Sequence, residues 1–402
     1  MKYIVVVDYF DSFQFFERLL KGVSKQDLHV VTNLVSVYWK LRSGGMAVSL
    51  VNYWSAYEGV VNGDLSKARE VASGDIGELG AKKYTAQILC ALESCLDKDS
   101  KYKVLCWNGS DLKGVAIRAF VLRYSDRVSS LYFEITNFPG YFFADSLGVN
   151  AQSSAYVKPE VFKLININND KNTLIELKES LLESKKDSSP PQVKLSKKIT
   201  ARHFTDAVFY LLFGSTAFSF KAILNRFINK VKSRGSGFSF SGEYVNELTS
   251  AHAFLPLQVS SDSQLLINYA GTVLDSVREA NEIAKKRNKK LVVKFHPAEN
   301  DFKVIDEITA YCMAEHIGIT NLSVPESIGL TGLVLTVNST AGFEAQLEGK
   351  EVIYIGASQY SHIHDSDDVL KYLKVFFFKG DFFKSDDMKV NIVAVEDGAE
   401  TE

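Results

Sequence analysis

Two short motifs in the C-terminal half of the chain combine residue types that can bind a phosphate. His296-Pro297 follows the apolar run Leu291–Phe295, and Asn338-Ser339-Thr340-Ala341-Gly342 follows the apolar run Leu333–Val337. The second motif continues as a helix, whose N-terminus offers backbone N–H groups and the positive end of a dipole to an anion. A nearby histidine can donate to a departing phosphate. The two motifs together predict a phosphate-binding site.

Each of these residues also has a structural interpretation. A lone histidine at a strand end is usually a bystander, and Ser339 and Thr340 are ordinary helix N-caps. Glu344, one turn into the helix, is either a surface acid that complements the dipole or an acceptor for a ribose hydroxyl. Lys294, two residues before His296, favours the phosphate interpretation because it adds positive charge at the same strand end.

Three carboxylates are candidates for glycosyl chemistry. Asp262, in the turn after Pro256, is either the N-cap of the next helix or a group that attacks an anomeric carbon or acts as a base. Glu134 ends a predicted strand, and Asp145 lies in the irregular segment Thr136–Ser154, which we expect to be a long loop. A retaining, double-displacement transfer needs a pair of such groups.

Alternating strands and helices must position these residues. In both halves of the chain, buried strands are followed by amphipathic helices, which is typical of parallel, doubly wound sheets whose ligands bind beyond the carboxyl ends of the strands. We predict an α/β protein with two Rossmann-like domains facing a central cleft, the GT-B glycosyltransferase architecture. The main predicted elements are strands at Tyr3–Val7, Leu28–Thr32, Ala47–Val51, Lys103–Trp107, Ser130–Glu134, Leu291–Phe295, Leu333–Val337 and Glu351–Ile355, and a long helix at Ser263–Asn288.

A length of 402 residues favours two domains. Residues 1–157 are predicted as the N-terminal Rossmann-like domain and 251–365 as the C-terminal one. Residues 158–250 are a helical insertion or linker, and residues 366–402 a C-terminal helix and an acidic tail expected to fray from Glu396. Within the insertion, Lys185–Val193 is a hydrophilic linker.

Composition restricts the function further. The net charge of −2 gives no sign of nucleic-acid binding. Four cysteines without metal-ligand spacing indicate reduced thiols, as in a cytoplasmic protein. The apolar segment Ala207–Phe220 is too short to span a bilayer. Lys221–Arg234 is a basic amphipathic helix, either an ordinary surface helix or a membrane-surface contact.

The chain resembles the bacterial capsule-polysaccharide synthesis proteins and the related O-antigen β-Kdo transferases. The matching motifs occur in the family's order and span most of residues 100–356. They are Trp107-Asn108-Gly109, Phe133-Glu134, Asp145–Asn150 with Ser153-Ser154, Leu257-Gln258-Val259 with Asp262, Lys294–Pro297, and Ser339–Glu344 followed by Gly349-Lys350.

The resemblance implies a retaining GT-B enzyme that uses CMP-β-Kdo without a metal or other cofactor. The C-terminal domain would bind the donor, with the nucleotide site formed by Gln258, Lys294, His296, Asn338, Ser339, Thr340 and Glu344. Asp262 would form a Kdo adduct, and Glu134 or Asp145 of the acceptor-side N-terminal domain would act on the acceptor hydroxyl. The chain departs from the family at Ser146, where proline is frequent, and over residues 158–250.

Three other functions fit some of these residues. A CDP-polyol phosphotransferase would use the histidine and phosphate turn but not Asp262. A sialyltransferase-like enzyme would use the same nucleotide with another sugar, and a glycan-binding subunit on the same scaffold would release no CMP. The expected partners are CMP-Kdo and an oligosaccharide or lipid-linked glycan for lipopolysaccharide or capsule synthesis. Other contacts would be peripheral, either with the inner face of the cytoplasmic membrane or with other modules of a larger transferase. No contact with nucleic acid is expected.

Overall fold

The computed structural model describes residues 1–51, 63–186, 205–206, 208–209, 212, 244–383 and 390–399. The chain forms two compact units. Both are α/β units with parallel strands, which confirms the predicted fold class. The first unit contains Met1–Ser154, Ser188–Ala222 and Lys374–Glu402, and the second contains Ala155–Asp187 and Ile223–Leu373.

The described strands follow the predicted sequence of elements closely. In chain order they are β1 (Lys2–Val7), β2 (Leu28–Thr32), β3 (Ala47–Leu50), β4 (Tyr102–Trp107), β5 (Val128–Ile135), β6 (Tyr141–Asp145), β7 (His252–Pro256), β8 (Lys290–Lys294), β9 (Gly318–Ile319), β10 (Leu333–Thr336), β11 (Val352–Tyr354) and β12 (Phe377–Lys379).

Many of the helices begin at a residue whose side chain accepts a backbone N–H, the usual N-cap arrangement. Such caps are Asp111, Asp262, Thr272, Asp301, Ser323 and Ser339. The described helices are α1 (Phe10–Leu19), α2 (Val35–Ser43), α3 (Arg69–Ala72), α4 (Glu78–Glu93), α5 (Leu112–Arg123), α6 (Ser154–Val157), α7 (Val161–Leu164), α8 (Lys171–Lys186), α9 (Ser263–Asn268), α10 (Val273–Lys286), α11 (Phe302–Ala314), α12 (Val324–Leu330), α13 (Thr340–Leu347), α14 (Ser366–Phe376) and α15 (Ile392–Ala399).

The first unit is built on a seven-stranded sheet in the order β12-β6-β5-β4-β1-β2-β3. Strands β1 to β5 are parallel, whereas β6 is antiparallel to β5 and β12 is antiparallel to β6. β1 and β4 are buried on both faces, which explains their continuous apolar sequences. Phe15 of α1 packs on Trp107, with 4.9 Å between ring centroids, and fixes this helix on the sheet.

The second unit has a five-stranded parallel sheet in the order β11-β10-β7-β8-β9. Its core lies between the sheet and α10, whose buried residues Val277 and Ala280 pack with Leu255 of β7 and Val293 of β8. The sheet therefore holds the ends of β7, β8 and β10 rigidly, and the predicted site residues follow these strands.

The predicted loop Thr136–Ser154 is wrong in its middle, where β6 lies. β6 pairs with β5 from Tyr132↔Asp145 to Ile135↔Phe142. The residues from Phe142 to Asp145 are all buried, so the strand lacks the polar and apolar alternation by which a half-buried strand is recognised.

The predicted helix Ser263–Asn288 is two helices, α9 and α10. The second starts with a capping box, in which Thr272 accepts the N–H of Asp275 at 3.2 Å and Asp275 accepts the N–H of Thr272 at 3.0 Å. Gly271 precedes it, where a Cβ would lie 2.8 Å from the Tyr269 ring. This cap is a local signal that ends one helix and begins the next.

The expectation that the tail frays from Glu396 is wrong within α15. The Glu396 carboxylate accepts from the Tyr3 hydroxyl at 3.2 Å and lies 3.3 Å from the ammonium group of buried Lys103. Residues 187–193 of the predicted linker and the helix Lys221–Arg234 lie outside the described residues, as does nearly all of Ala207–Phe220. Within the part of the chain that the structure describes, no helix is long and apolar enough to cross a membrane.

Candidate functional site

The sheet of the second unit reverses its strand order at β7. The chain leaves β7 on one side through β8 and β9, then returns to place β10 and β11 on the other side. In open parallel sheets such a switch point creates a crevice beyond the carboxyl ends of the two strands involved, here β7 and β10. Gln258 follows β7 and Asn338 follows β10. Two predicted site residues therefore meet at the switch point.

The side chains of Gln258 and Asn338 join these two strand ends. Gln258 Nε2 donates to Asn338 Oδ1 over 2.8 Å, and the backbone N–H of Asn338 donates to Gln258 Oε1 over 3.3 Å. Asn338 Nδ2 also donates to the carbonyl of Gln264 in α9 at 2.9 Å. Because both polar atoms of its side-chain amide are engaged within the protein, Asn338 holds the loops in place around the crevice.

The turn that starts α13 is more fully hydrogen-bonded than its sequence suggests. Ser339 Oγ accepts the N–H of Ala341 at 3.2 Å, the N–H of Ser339 donates to Thr336 Oγ1 at 3.2 Å, and that of Gly342 donates to the Ser339 carbonyl at 3.0 Å. The expectation of free N–H groups is wrong at these positions, because the cap and a tight first turn use them. The helix dipole and the hydroxyls of Ser339 and Thr340 still favour an anion.

Gly342 allows α13 to approach the sheet closely. A Cβ at this position would lie 2.6 Å from the Tyr354 hydroxyl and 2.8 Å from Thr336 Cγ2. Tyr354 donates to Gln346 over 3.0 Å, which fixes its hydroxyl against the helix. Glycine is thus required where the first turn of α13 crosses β10 and β11.

His296 follows β8, the neighbour of β7. Its Nδ1 accepts the backbone N–H of Ala298 at 3.1 Å, which assigns the proton of the neutral imidazole to Nε2. Partial burial lowers the pKa of His296 below its ordinary value, against the opposing charges of Asp262 and Glu299. At neutral pH His296 therefore offers an N–H donor that carries no positive charge.

Asp262 is the N-cap of α9, so that its structural interpretation is confirmed. Oδ1 accepts the N–H of Gln264 at 2.8 Å. Among the described residues no side chain donates to this carboxylate, which is only partly buried. Its charge acts on the pKa of His296, which places the two side chains in the same electrostatic neighbourhood, and capping leaves one oxygen available for chemistry.

Glu299 is a residue of the candidate site that the sequence analysis missed. Its buried carboxylate accepts the N–H of Ser260 at 2.6 Å and the N–H groups of Asn300 and Asp301 at 2.9 and 3.0 Å. It thereby ties the loop that carries Asp262 to the loop after β8. An acid three residues after His296 was the available signal.

Lys294 and Glu344 differ from their expected placement. Lys294 Nζ donates to the carbonyl of Asn321 at 3.3 Å. Asn321 follows β9, on the far side of β8 from β7, so the structure does not bring this ammonium group to the switch point. Burial lowers the pKa of Lys294. Glu344 is only 9% exposed, which excludes the surface-acid interpretation.

In the first unit, two asparagines bind Glu134 where β5 nears its end. Asn108 Nδ2 donates to Glu134 Oε1 over 3.3 Å, and Asn150 Nδ2 donates to Oε2 over 3.1 Å. Both asparagines have left-handed backbones, with φ of 70° and 56°, a conformation that asparagine adopts more readily than most residues. Amide donors favour the ionised form of a carboxylate and fix its orientation.

Asp145 is built into the structure more deeply than Glu134. It is fully buried. Oδ1 accepts the N–H groups of Leu147 and Gly148 at 2.7 and 3.0 Å, and Oδ2 accepts the N–H of Ser154 at 2.9 Å and its hydroxyl at 2.5 Å. Burial raises the pKa of Asp145 against these bonds. Since both oxygens hold the loop from 145 to 154, Glu134 is the better placed of the two predicted acids.

Comparison with known proteins gives one family match. The family model described as capsule polysaccharide biosynthesis protein matches residues 139–368. Among solved structures, the Thermosulfurimonas dismutans KpsC β-Kdo 2,7 transferase is 16% identical with a TM-score of 0.40, over 72% of this chain and 82% of that one. The β-Kdo 2,4 transferase of the same protein is 18% identical with a TM-score of 0.34, over 64% and 70%.

A Methanocaldococcus jannaschii UDP-GlcNAc 2-epimerase is 11% identical with a TM-score of 0.30, over 100% of this chain and 94% of that one. All three TM-scores are below 0.5, so these similarities support no conclusion about activity. No curated protein matches the chain.

Proposed function

The chain belongs to the capsule polysaccharide biosynthesis protein family, and from this membership we propose that it is a retaining glycosyltransferase of bacterial surface polysaccharide synthesis. The donor is CMP-β-Kdo and the acceptor is a saccharide, free or lipid-linked. The second unit binds the nucleotide, and the first unit acts on the acceptor hydroxyl.

One observation carries the proposal. The switch point of the second unit joins Gln258 and Asn338 by hydrogen bonds, with Asp262 and His296 on the adjoining loops. A neutral N–H donor and a helix N-terminus suit a phosphodiester with a single negative charge, which needs less neutralisation than a diphosphate. The motifs that resemble β-Kdo transferases include these same residues, which supports CMP-Kdo as the donor.

The first chemical step breaks the bond between the anomeric carbon of Kdo and the CMP phosphate oxygen. A carboxylate oxygen of Asp262 attacks the anomeric carbon, and CMP leaves with the bonding electron pair. Nε2–H of His296 donates a hydrogen bond to a phosphate oxygen and stabilises the charge that develops there. The product of this step is a Kdo ester of Asp262.

The second step transfers Kdo from Asp262 to the acceptor. The acceptor hydroxyl attacks the anomeric carbon, its proton passes to Glu134, and the ester bond breaks to restore the Asp262 carboxylate. Two inversions give net retention. Asn108 and Asn150 hold the Glu134 carboxylate in a fixed orientation for this proton transfer.

Intact-protein mass spectrometry after mixing with CMP-Kdo generated in situ tests the donor and the nucleophile together. Wild-type protein should gain the mass of one Kdo, and Asp262→Asn should not. CMP release that continues in Asp262→Asn without any adduct would exclude Asp262 as the nucleophile. Absence of any reaction with CMP-Kdo, together with turnover of a CDP-polyol or of CMP-sialic acid, would favour the corresponding alternative enzyme.

Glu134→Gln separates the two steps. This variant should still form the Kdo adduct but lose transfer to the acceptor, because only the second step uses Glu134 as a base. Equal loss of both steps would contradict the assigned role. The same assays in a chelator test metal independence, and a loss of activity that added Mg²⁺ restores would refute it.

A further inference from the structure

The first unit has a switch point of its own, between β1 and β4. From β1 the chain moves through β2 to β3, then returns to place β4 and β5 on the other side of β1. Asp8 directly follows β1, and Asp111 and Lys113 follow β4 at the start of α5. By the same rule that locates the crevice of the second unit, a ligand of this sheet would bind beside these charged residues.

Lys113 is buried and fully bonded. Its side chain is 5% exposed, and Nζ lies 2.8 Å from Asp8 Oδ2, 3.0 Å from Asp111 Oδ2 and 3.1 Å from the carbonyl of Trp107. Burial alone would lower the pKa of Lys113, but Asp111 and Asp8 outweigh it and hold the pKa well above its ordinary value. All three ammonium protons are thus used to position neighbouring groups.

Asp8 is incompletely satisfied. Oδ2 binds Lys113, whereas Oδ1 is out of contact with solvent and has no hydrogen-bond partner. About a quarter of the side chain is exposed (25%), but Oδ1 is not part of that exposed surface. A ligand therefore contacts the exposed part of the side chain, and a small rotation of the carboxylate brings Oδ1 to it. A buried acceptor without a donor is unfavourable, and native proteins retain few of them.

The charges around Asp8 define the ligand. Glu70 accepts the N–H of Leu112 at 3.1 Å, and Arg69 lies 3.4 Å from Glu70. Three carboxylates (Asp8, Asp111 and Glu70) and two cations (Lys113 and Arg69) give a formal net charge of −1. This charge disfavours a phosphate and favours a neutral ligand whose hydroxyls donate hydrogen bonds.

We propose that Asp8 is a hydroxyl-binding subsite for a neutral sugar, with Lys113 as the residue that positions its carboxylate. Within the proposed function, on which this assignment rests, the sugar is a residue of the saccharide acceptor. Its hydroxyl donates to Asp8 and supplies the missing partner, while Asp111 remains the cap of α5 and the second anchor of Lys113.

The same two strands carry a matched control at their amino ends. Lys103 near the start of β4 is as deeply buried as Lys113, with a side chain 3% exposed, and Glu396 is its carboxylate partner. Asp8→Asn and Glu396→Gln therefore each remove a negative charge that lies beside a buried lysine of the same unit. Only Asp8 lies at the end of the sheet where ligands bind.

The test is saturation-transfer-difference NMR with neutral methyl glycosides of galactose, glucose and N-acetylglucosamine, and with glucose 1-phosphate as an anionic probe. Wild type and Glu396→Gln should bind at least one neutral glycoside equally well and the phosphate more weakly. Asp8→Asn should weaken binding about tenfold or more, the effect of losing a hydrogen bond to a charged group.

Asp8→Glu keeps a negative charge beside Lys113 but moves the carboxylate by one methylene. This variant should fold like wild type and still bind the glycoside more weakly. Equal binding by Asp8→Asn, Asp8→Glu and Glu396→Gln would overturn the proposal, as would the absence of binding to wild type. Because the assay contains no CMP-Kdo, its failure is distinct from a failure to form the Kdo adduct. Binding with no adduct would retain the sugar subsite and refute the transferase mechanism.

Discussion

Each of the two sheets has a switch point, and the side chains at the two switch points differ in charge. At the switch point of the second unit, two neutral amides pair with each other beside an uncharged histidine and a helix N-terminus. At that of the first unit, a buried lysine holds two carboxylates. The first arrangement suits an anion and the second suits hydroxyl groups. The topology fixes where a ligand binds, and the side chains at the strand ends decide which ligand it is.

Both sites also have a glycine in the first turn of the helix that follows the strand. Gly114 is the third residue of α5 and Gly342 the third residue of α13, and each allows the first helical turn to pack closely. A Cβ on Gly114 would lie 1.8 Å from the carbonyl oxygen of Gly109, whereas one on Gly342 would lie 2.6 Å from a side-chain hydroxyl. The first turn of α5 is therefore packed against backbone, and that of α13 against side chains, which shift at a smaller cost than backbone.

Loss of the His296 imidazole should produce the largest difference between the two switch points. His296→Ala is expected to slow CMP release by about 100-fold to 1,000-fold, the usual range for loss of one donor that stabilises developing charge, and to leave binding of neutral glycosides unchanged. Quenched-flow measurement of CMP release checks the rate. His316→Asn is the control, because His316 precedes β9 at the amino ends of the strands and has a left-handed backbone (φ 57°) that asparagine accepts. A small effect of His296→Ala would remove the anion-binding role.

Gly114→Ala should destabilise the protein more than Gly342→Ala, because a Cβ at Gly114 would meet backbone atoms at a shorter distance. Gly114→Ala forces backbone apart and should cost more than the roughly 1–3 kcal/mol typical of overpacking, a range that Gly342→Ala should match. Hydrogen exchange followed by mass spectrometry reports each unit separately. Gly329→Ala in α12 is the control, since nothing lies within 4 Å of its Cβ. Equal destabilisation by the two test variants would contradict the contrast.

Local patterns were sufficient to predict the elements and several site residues. Buried parallel strands are continuous apolar runs, so β2 was predicted at its observed bounds, and His296 and Ser339 were recognised as residues after strand ends. Strand order is a tertiary property that one sequence does not reveal. Without it, Gln258 could be assigned to the site only through the family resemblance, and its pairing with Asn338 could not be predicted. Asp8, directly after the predicted strand Tyr3–Val7, was not recognised as a candidate.

The remaining misses have local physical causes. β6 was not predicted, because burial on both faces removes the alternation of polar and apolar residues. The free N–H groups expected at the start of α13 are used by Ser339 and Thr336, whose side chains compete with any ligand for the same donors. The clamp made by Glu299 reaches Ser260, 39 residues earlier in the sequence, and such contacts leave no periodic signal.

Loss of the Glu299 clamp should have a more local effect than the His296 and glycine variants. Glu299→Gln places an amide group against N–H groups that need an acceptor, which should cost about 1–3 kcal/mol in local stability and weaken donor binding. Asp301→Asn, in the same loop, should be nearly neutral because asparagine is an equally good N-cap. Urea-dependent hydrogen exchange of the two loops and CMP affinity measure both effects. If CMP affinity is equal in the two variants, the clamp does not shape the anion site.

The protonation of His296 gives the smallest and most discriminating effect. Nδ1 accepts from Ala298 and partial burial lowers the pKa, so NMR should show an Nε2–H tautomer that gains its second proton only below the ordinary pKa of about 6.5. Protonation opposes the folded state, so the stability associated with neutral His296 is present above that pH and is lost as the pH falls through the lowered pKa. Bound CMP should raise the pKa, because an anion favours the charged imidazole, whereas a neutral glycoside should leave it unchanged. A pKa that both ligands shift equally would show that the anion site and the hydroxyl site are not chemically distinct.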